Sequence, residues 1–90
     1  MITKDQFLNI DKSNTIELSY NSAMRVNSKV ELKPIAKPRY SAKYKLYKLT
    51  LKNVENLGGV KYYAYLRDGK ENINFAVGNM AITVNEIKIN

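Results

Sequence analysis

Apolar residues recur at every second position through most of this chain, and the one exception is its beginning. Ile2-Thr3-Lys4-Asp5-Gln6-Phe7 reads as a helix start. Thr3 is placed to be the N-cap, Gln6 three residues on closes a capping box, and Ile2 and Phe7 stand where a hydrophobic staple would put them. Asp5 in the first turn suits the helix dipole. The turn-forming run Asp11-Lys12-Ser13-Asn14 keeps the helix short, so its role is to cover one end of a core with Phe7 and Leu8.

After that run the period becomes two. Ile16, Leu18 and Tyr20 alternate with Glu17 and Ser19, and Val30 and Leu32 alternate with Lys29, Glu31 and Lys33, which predicts two half-buried strands. Pro34 to Ala42 holds both prolines and reads as a loop or a sheet edge, because proline cannot donate to a ladder. Tyr44 to Lys52 is the longest strand candidate, but its phase slips. Tyr44 and Leu46 share one parity, while Tyr47, Leu49 and Leu51 share the other. A β-bulge near Tyr47-Lys48 would reconcile them and bend the strand. Asn53 to Gly59 reads as a loop and Val60 to Arg67 as a strand. Asp68-Gly69 carries the two-residue hairpin signature, leading into Ile73, Phe75 and Val77. Gly78-Asn79 breaks the chain before a last strand, Met80 to Ile89.

One short helix and about six short strands make an all-β fold. The expected architecture is a small SH3-like barrel, with an OB-like barrel as the second choice, since closure removes exposed strand edges. Residues 1–90 are expected to form a single domain, and a chain this short buries only roughly 60–65 % of its unfolded surface. That leaves no room for a second lobe with a cleft between. The apolar fraction of 44 % is that of a folded protein. No apolar run approaches the ~20 residues of a membrane span, and Lys4, Asp5 and Gln6 interrupt the amino terminus where a signal peptide would be apolar. The expected location is therefore cytoplasmic (the host cytoplasm if the source is viral), with no membrane partner.

Candidate chemistry is sparse. The chain has no Cys and no His, which removes disulfides, thiolate nucleophiles, the usual zinc ligands and the usual general base near neutral pH. Phosphate-binding glycine motifs and a nucleophile elbow are also missing, and the eight carboxylates are scattered. The expectation is a non-enzymatic protein with no cofactor and no metal.

Charge changes the picture. The net charge is +7, and Arg25 to Lys52 alone carries nine basic residues and one acid, Glu31. The rest of the chain holds six basic and seven acidic residues. Asn, Ile, Lys and Tyr supply 38 of the 90 residues, a bias that fits A/T-rich codons. Such a bias accounts for many lysines but not for their concentration in one segment. A segregated positive segment attracts polyanions. The candidate nucleic-acid contacts are Lys33, Lys37, Arg39, Lys43, Lys45 and Lys48, with Tyr40 as the aromatic best placed to stack. Basic side chains neutralise phosphates, and tyrosine rings stack on unpaired bases. A secondary contact face is expected on the Val60–Arg67 strand. There Tyr62, Ala64 and Leu66 share the core parity, and Lys61, Tyr63, Tyr65 and Arg67 share the outer one. With twelve Lys against three Arg, weak sequence preference follows, because Lys is a point charge whereas Arg reads guanine bidentately.

The stretch Gly59-Val60-Lys61-Tyr62-Tyr63-Ala64-Tyr65-Leu66-Arg67-Asp68-Gly69, followed by Phe75-Ala76-Val77-Gly78-Asn79-Met80-Ala81-Ile82, resembles small early proteins of T-even-type tailed phages. It is similar to the MotB-like transcription modifiers, which have a Tudor/KOW-like barrel. The resemblance implies an SH3-like fold, largely sequence-independent binding of duplex DNA, and a role in an infected cell. It also allows a host-takeover role, in which the basic face occupies an acidic groove on a host protein as inhibitor or adaptor. A structural subunit of a larger phage or ribosomal assembly is a third expectation.

Overall fold

The computed structural model describes residues 2–55 and 59–90. Thr3 caps the helix α1 (Lys4–Leu8), its hydroxyl accepting from the Gln6 N–H while the Gln6 side chain accepts from the Thr3 N–H. The capping box is thus complete, and Phe7 on the inner side of the helix is fully buried. The helix ends at its C-cap Asn9, and beyond it Asp11 accepts from both the N–H and the hydroxyl of Ser13, local bonds that favour a turn over helix.

Seven strands follow: β1 (Ile16–Asn21), β2 (Ser28–Pro34), β3 (Arg39–Ser41), β4 (Leu46–Asn53), β5 (Tyr62–Arg67), β6 (Ile73–Val77) and β7 (Met80–Ile89). They pair antiparallel in the order β2-β1-β7-β6-β5-β4-β3, and β2 also pairs with β4. That last pairing closes six strands into a small antiparallel barrel of the SH3/OB-like kind. Closure runs through Leu32 opposite Asn53, Lys33 opposite Lys52 and Pro34 opposite Leu51. The β3 strand continues along the same edge of β4, Arg39 opposite Lys48, so β2 and β3 are one interrupted strand. Between them the Ile35 N–H still bonds the Thr50 carbonyl at 3.0 Å, and the segment up to Pro38 bows out. The proline-containing stretch is therefore part sheet edge and part loop.

The core follows strand parity. Ile16, Leu18, Leu32, Leu49, Leu51, Tyr62, Ala64, Leu66, Ile73 and Phe75 point inward with Phe7 from α1 and Ile10 just after it. Burying apolar side chains is the main favourable term in folding. Tyr62 brings a polar group inward, and its hydroxyl is satisfied by the Tyr20 hydroxyl at 2.9 Å, the rings meeting edge to face.

Local expectations need correction at four points. Tyr44 is not in a strand; residues 42–45 form the β3–β4 turn, and Lys45 takes a positive φ of 53° there. The register between β4 and β5 is unbroken from Leu46 to Leu51, so no bulge lies at Tyr47-Lys48. The bulge is on β7: Ser19 pairs with Glu86 and Tyr20 with Val84, leaving Asn85 as the extra residue. Its amide donates to the side-chain carbonyls of Asn21 and Asn27, both at 3.0 Å, and ties the bulge to the β1–β2 loop. The connection at Asp68-Gly69 is five residues long, from Arg67 to Ile73. The two-residue hairpin is at Gly78-Asn79, with Val77 opposite Met80. Gly78 has φ +58°, the glycine-favoured conformation at the first central position of such turns. The strand expected from Val60 begins at Tyr62, and Gly58 of the expected loop lies outside the described residues.

Candidate nucleic-acid interface

Antiparallel pairing decides which of the candidate residues meet. On the outer side of the barrel, Arg39 lies opposite Lys48, Lys48 opposite Tyr65, and Tyr65 opposite Asn74. The next row is Thr50, Tyr63 and Ala76, and the row on the other side is Ser41, Leu46 and Arg67. Arg39 and Lys48 from the basic segment and Tyr63, Tyr65 and Arg67 from the secondary set therefore form one continuous face across β3, β4 and β5. Lys48 places its ammonium 4.6 Å from the centre of the Tyr63 ring, close enough for a cation–π attraction. Tyr63 and Tyr65, two apart on one strand, stack at 6.2 Å between centroids. Both rings are half-buried, while Arg39, Lys48 and Arg67 are exposed. Lys61, also exposed, adjoins the start of β5, its carbonyl accepting from the Gly78 N–H.

Like charges directly opposite on paired strands repel. Arg39 and Lys48 are such a pair, so the fold gains nothing from their juxtaposition, whereas an anion seated between them is attracted by both. The tyrosines beside them supply apolar area and ring faces. The arrangement suits a polyanion that also carries planar groups.

The remaining candidates divide. Lys43 and Lys45 sit in the exposed β3–β4 turn at the edge of the face. The Lys43 ammonium is 5.2 Å from the centre of the Tyr44 ring, and the Lys45 carbonyl accepts from the Asp68 N–H at 2.9 Å. Lys37 is exposed on the bowed segment before Pro38, away from the rows just described. It contributes the smallest part of the effect that holds the Asp11 carboxyl below its ordinary value, the hydrogen bonds from Ser13 contributing most. Lys33 is half-buried and its ammonium is used by the fold, donating to the Asn14 carbonyl at 3.0 Å and the Thr15 hydroxyl at 3.3 Å.

Tyr40 has a different place from its neighbour Arg39. It pairs with Tyr47 and so lies on the other side of the β3–β4 ribbon. Its ring meets Tyr47 edge to face at 5.0 Å, and its hydroxyl donates to the Asp68 carboxylate. That hydrogen bond is the main reason the Tyr40 phenol titrates above its ordinary value. The aromatic partners of Arg39 and Lys48 are Tyr63 and Tyr65.

A second surface feature escaped the sequence reading. A groove of about 750 Å³ lies over β1, β2 and β7, lined among others by Glu17, Glu31, Glu55, Glu86, Lys29 and Lys88. Glu17 lies directly opposite Glu31 on β2 and opposite Lys88 on β7. Glu17, Lys29, Glu31, Glu86 and Lys88 hold the outer parity of their strands, an alternation visible in the sequence, and Glu55 sits in the turn after β4. Their convergence across three strands is not visible there.

Among the described residues no group of three or more Asp, Glu, His or Cys side chains is placed to hold a metal ion, and no helix is long and apolar enough to cross a membrane. Comparison of the chain with protein families, with curated proteins and with solved structures finds no match.

Proposed function

We propose that this protein binds nucleic acid, duplex DNA before RNA, through the outer face of β3, β4 and β5, and does so largely without sequence preference. The observation that supports the reading is the row Arg39, Lys48, Tyr65 with Tyr63 beside it, two directly opposed cations next to two aromatic rings. Arg39, Lys48 and Arg67, with Lys61 and Lys43 at the margins, supply phosphate contacts, and each phosphate neutralised releases counterions. An outer sheet face of this kind, on a closed barrel, carries no helix to enter a groove, which fits backbone contact rather than base reading. The preference for duplex DNA, and a place among early phage proteins, rest on the resemblance of the Gly59–Gly69 stretch described above.

The test is a binding series with random-sequence duplex DNA, single-stranded DNA and RNA, measured by fluorescence anisotropy at low and moderate salt. The expected result is duplex binding that weakens by orders of magnitude as salt rises. Failure of all three to bind at low salt overturns the reading. Salt-insensitive binding overturns the phosphate-contact mechanism.

A further inference from the structure

The outer side of β4 shows Leu46, Lys48, Thr50 and Lys52 in turn. Lys48 has Arg39 opposite it on β3. Lys52, exposed and four residues further on, has Lys33 opposite it on β2. Each is a pair of directly opposed cations, from which the fold gains nothing. The Lys33 ammonium is held by the Asn14 carbonyl and the Thr15 hydroxyl, so Lys52 is the member of its pair that can meet an anion. On the other flank of β4, the register that sets Leu51 opposite Tyr62 puts Lys61 level with Lys52 one step on. Lys61 is exposed and in line with the ladder, its carbonyl accepting from the Gly78 N–H at 2.9 Å. Two cationic rows therefore cross β4, Arg39 with Lys48 and Lys52 with Lys61. They are about 13 Å apart at the usual ~3.3 Å rise per strand residue. Tyr63 lies in the row between them, opposite Thr50.

The two directions across this face differ in what they offer a polyanion. Across the strands, the Arg39–Lys48 row continues into Tyr65 and Asn74, which bring no cation. Along β4, the path leads past Thr50 to Lys52 and Lys61. A chain of regularly spaced charges meets a second cationic row only in the second direction. One strand of duplex DNA carries a charge every ~3.4 Å of helix axis, so the two rows span several successive phosphates. We infer that the sugar-phosphate backbone of the bound nucleic acid runs along β4, from the Arg39–Lys48 row past Tyr63 to Lys52 and Lys61, and that Lys52 is a phosphate contact. This inference rests on the nucleic-acid reading and adds to it the path of the ligand and one further contact residue.

Fluorescence anisotropy on random-sequence duplex DNA, across a salt series, tests both parts. Lys52→Ala is expected to lower the magnitude of the slope of log K against log salt by about 1, and Lys52→Ala with Lys61→Ala by about 2. Lys29→Ala with Lys88→Ala removes the same charge from exposed positions on β2 and β7 and is expected to leave the slope unchanged. Two added lysines read the direction. Thr50→Lys, between the rows on β4, is expected to raise the magnitude of the slope by about 1. Asn74→Lys, at the far end of the Arg39–Lys48–Tyr65 row, is expected to leave it unchanged. A parent-like slope in Lys52→Ala overturns the contact. So does an equal loss in the Lys29 and Lys88 variant, which makes net charge the cause. Either a gain with Asn74→Lys or none with Thr50→Lys overturns the path. If Arg39→Ala with Lys48→Ala still lowers the slope in that case, the face binds nucleic acid and only the path along β4 falls. A parent that binds no duplex at low salt overturns this inference together with the reading it rests on. Equilibrium unfolding of each variant establishes that it is folded.

Discussion

Arg39 and Lys48 face each other directly across the β3–β4 pair, and Lys48 turns its ammonium over the Tyr63 ring on the neighbouring strand. Two cations and an aromatic from three strands are thereby held within one patch. None of the three is required by the core, so the patch can be altered without unfolding the barrel.

Replacing Arg39 and Lys48 together by alanine should therefore lower the magnitude of the slope of log K against log salt by about 2, one for each lost phosphate contact. The urea midpoint should shift by the equivalent of no more than about 0.5 kcal/mol, as at most exposed positions. A salt titration of duplex DNA binding measures the first and equilibrium unfolding the second. An unchanged slope would remove these two residues from the interface.

Lys33 should behave in the opposite way. Its ammonium serves the Asn14 carbonyl and the Thr15 hydroxyl, so Lys33→Ala should cost about 1 kcal/mol of stability while changing DNA affinity far less than the Arg39 and Lys48 substitutions do. Side-by-side unfolding and anisotropy curves for the variant and the parent decide it, and a large loss of affinity with unchanged stability would return Lys33 to the contact set.

Asn85 is the extra residue of the β7 bulge and holds Asn21 and Asn27 together. Asn85→Ala removes two hydrogen bonds and should destabilise by about 1 kcal/mol, which lowers Tm by roughly 4–8 °C in a domain of this size. The effect should be local first. Amide hydrogen exchange is expected to quicken at Asn27, whose N–H is held by the Asn21 side chain at 2.8 Å, before it quickens in β5.

Tyr62 predicts a pH dependence. Burial, and then its hydrogen bond with Tyr20, raise its phenol above the ordinary 10.0 in the folded chain. The unfolded chain ionises at the ordinary value, so its protons are lost first as pH rises. Stability is accordingly full below about pH 10 and declines above it. Tyr62→Phe should cost about 1 kcal/mol at neutral pH through the unpaired Tyr20 hydroxyl, and should flatten the alkaline decline. Unfolding curves of both proteins between about pH 8 and about pH 11 compare the slopes around the ordinary tyrosine value. Parallel declines would show that other groups carry the effect.

Local chemistry alone determined the helix start, the strand parities and the class of fold. Thr3 and Gln6 cap the helix through atoms three residues apart, and successive side chains of a strand must alternate, which placed Tyr62, Ala64 and Leu66 inward and Tyr63 and Tyr65 outward before any partner strand was known. The β7 bulge was missed, although the apolar phase does change between Ile82-Val84 and Ile87-Ile89. The slip at Tyr44 and Tyr47 looked similar but had another cause, a turn that ends before Leu46. Only the tertiary structure decided which strands are neighbours. Pairing is set by how distant apolar faces close around one core. That closure brought Arg39 beside Lys48 and Tyr65, turned Tyr40 to the other side, drew Lys33 into a structural role, and gathered the carboxylate groove over β1, β2 and β7. The clustering of charge belongs to the sequence; the face on which it acts belongs to the fold.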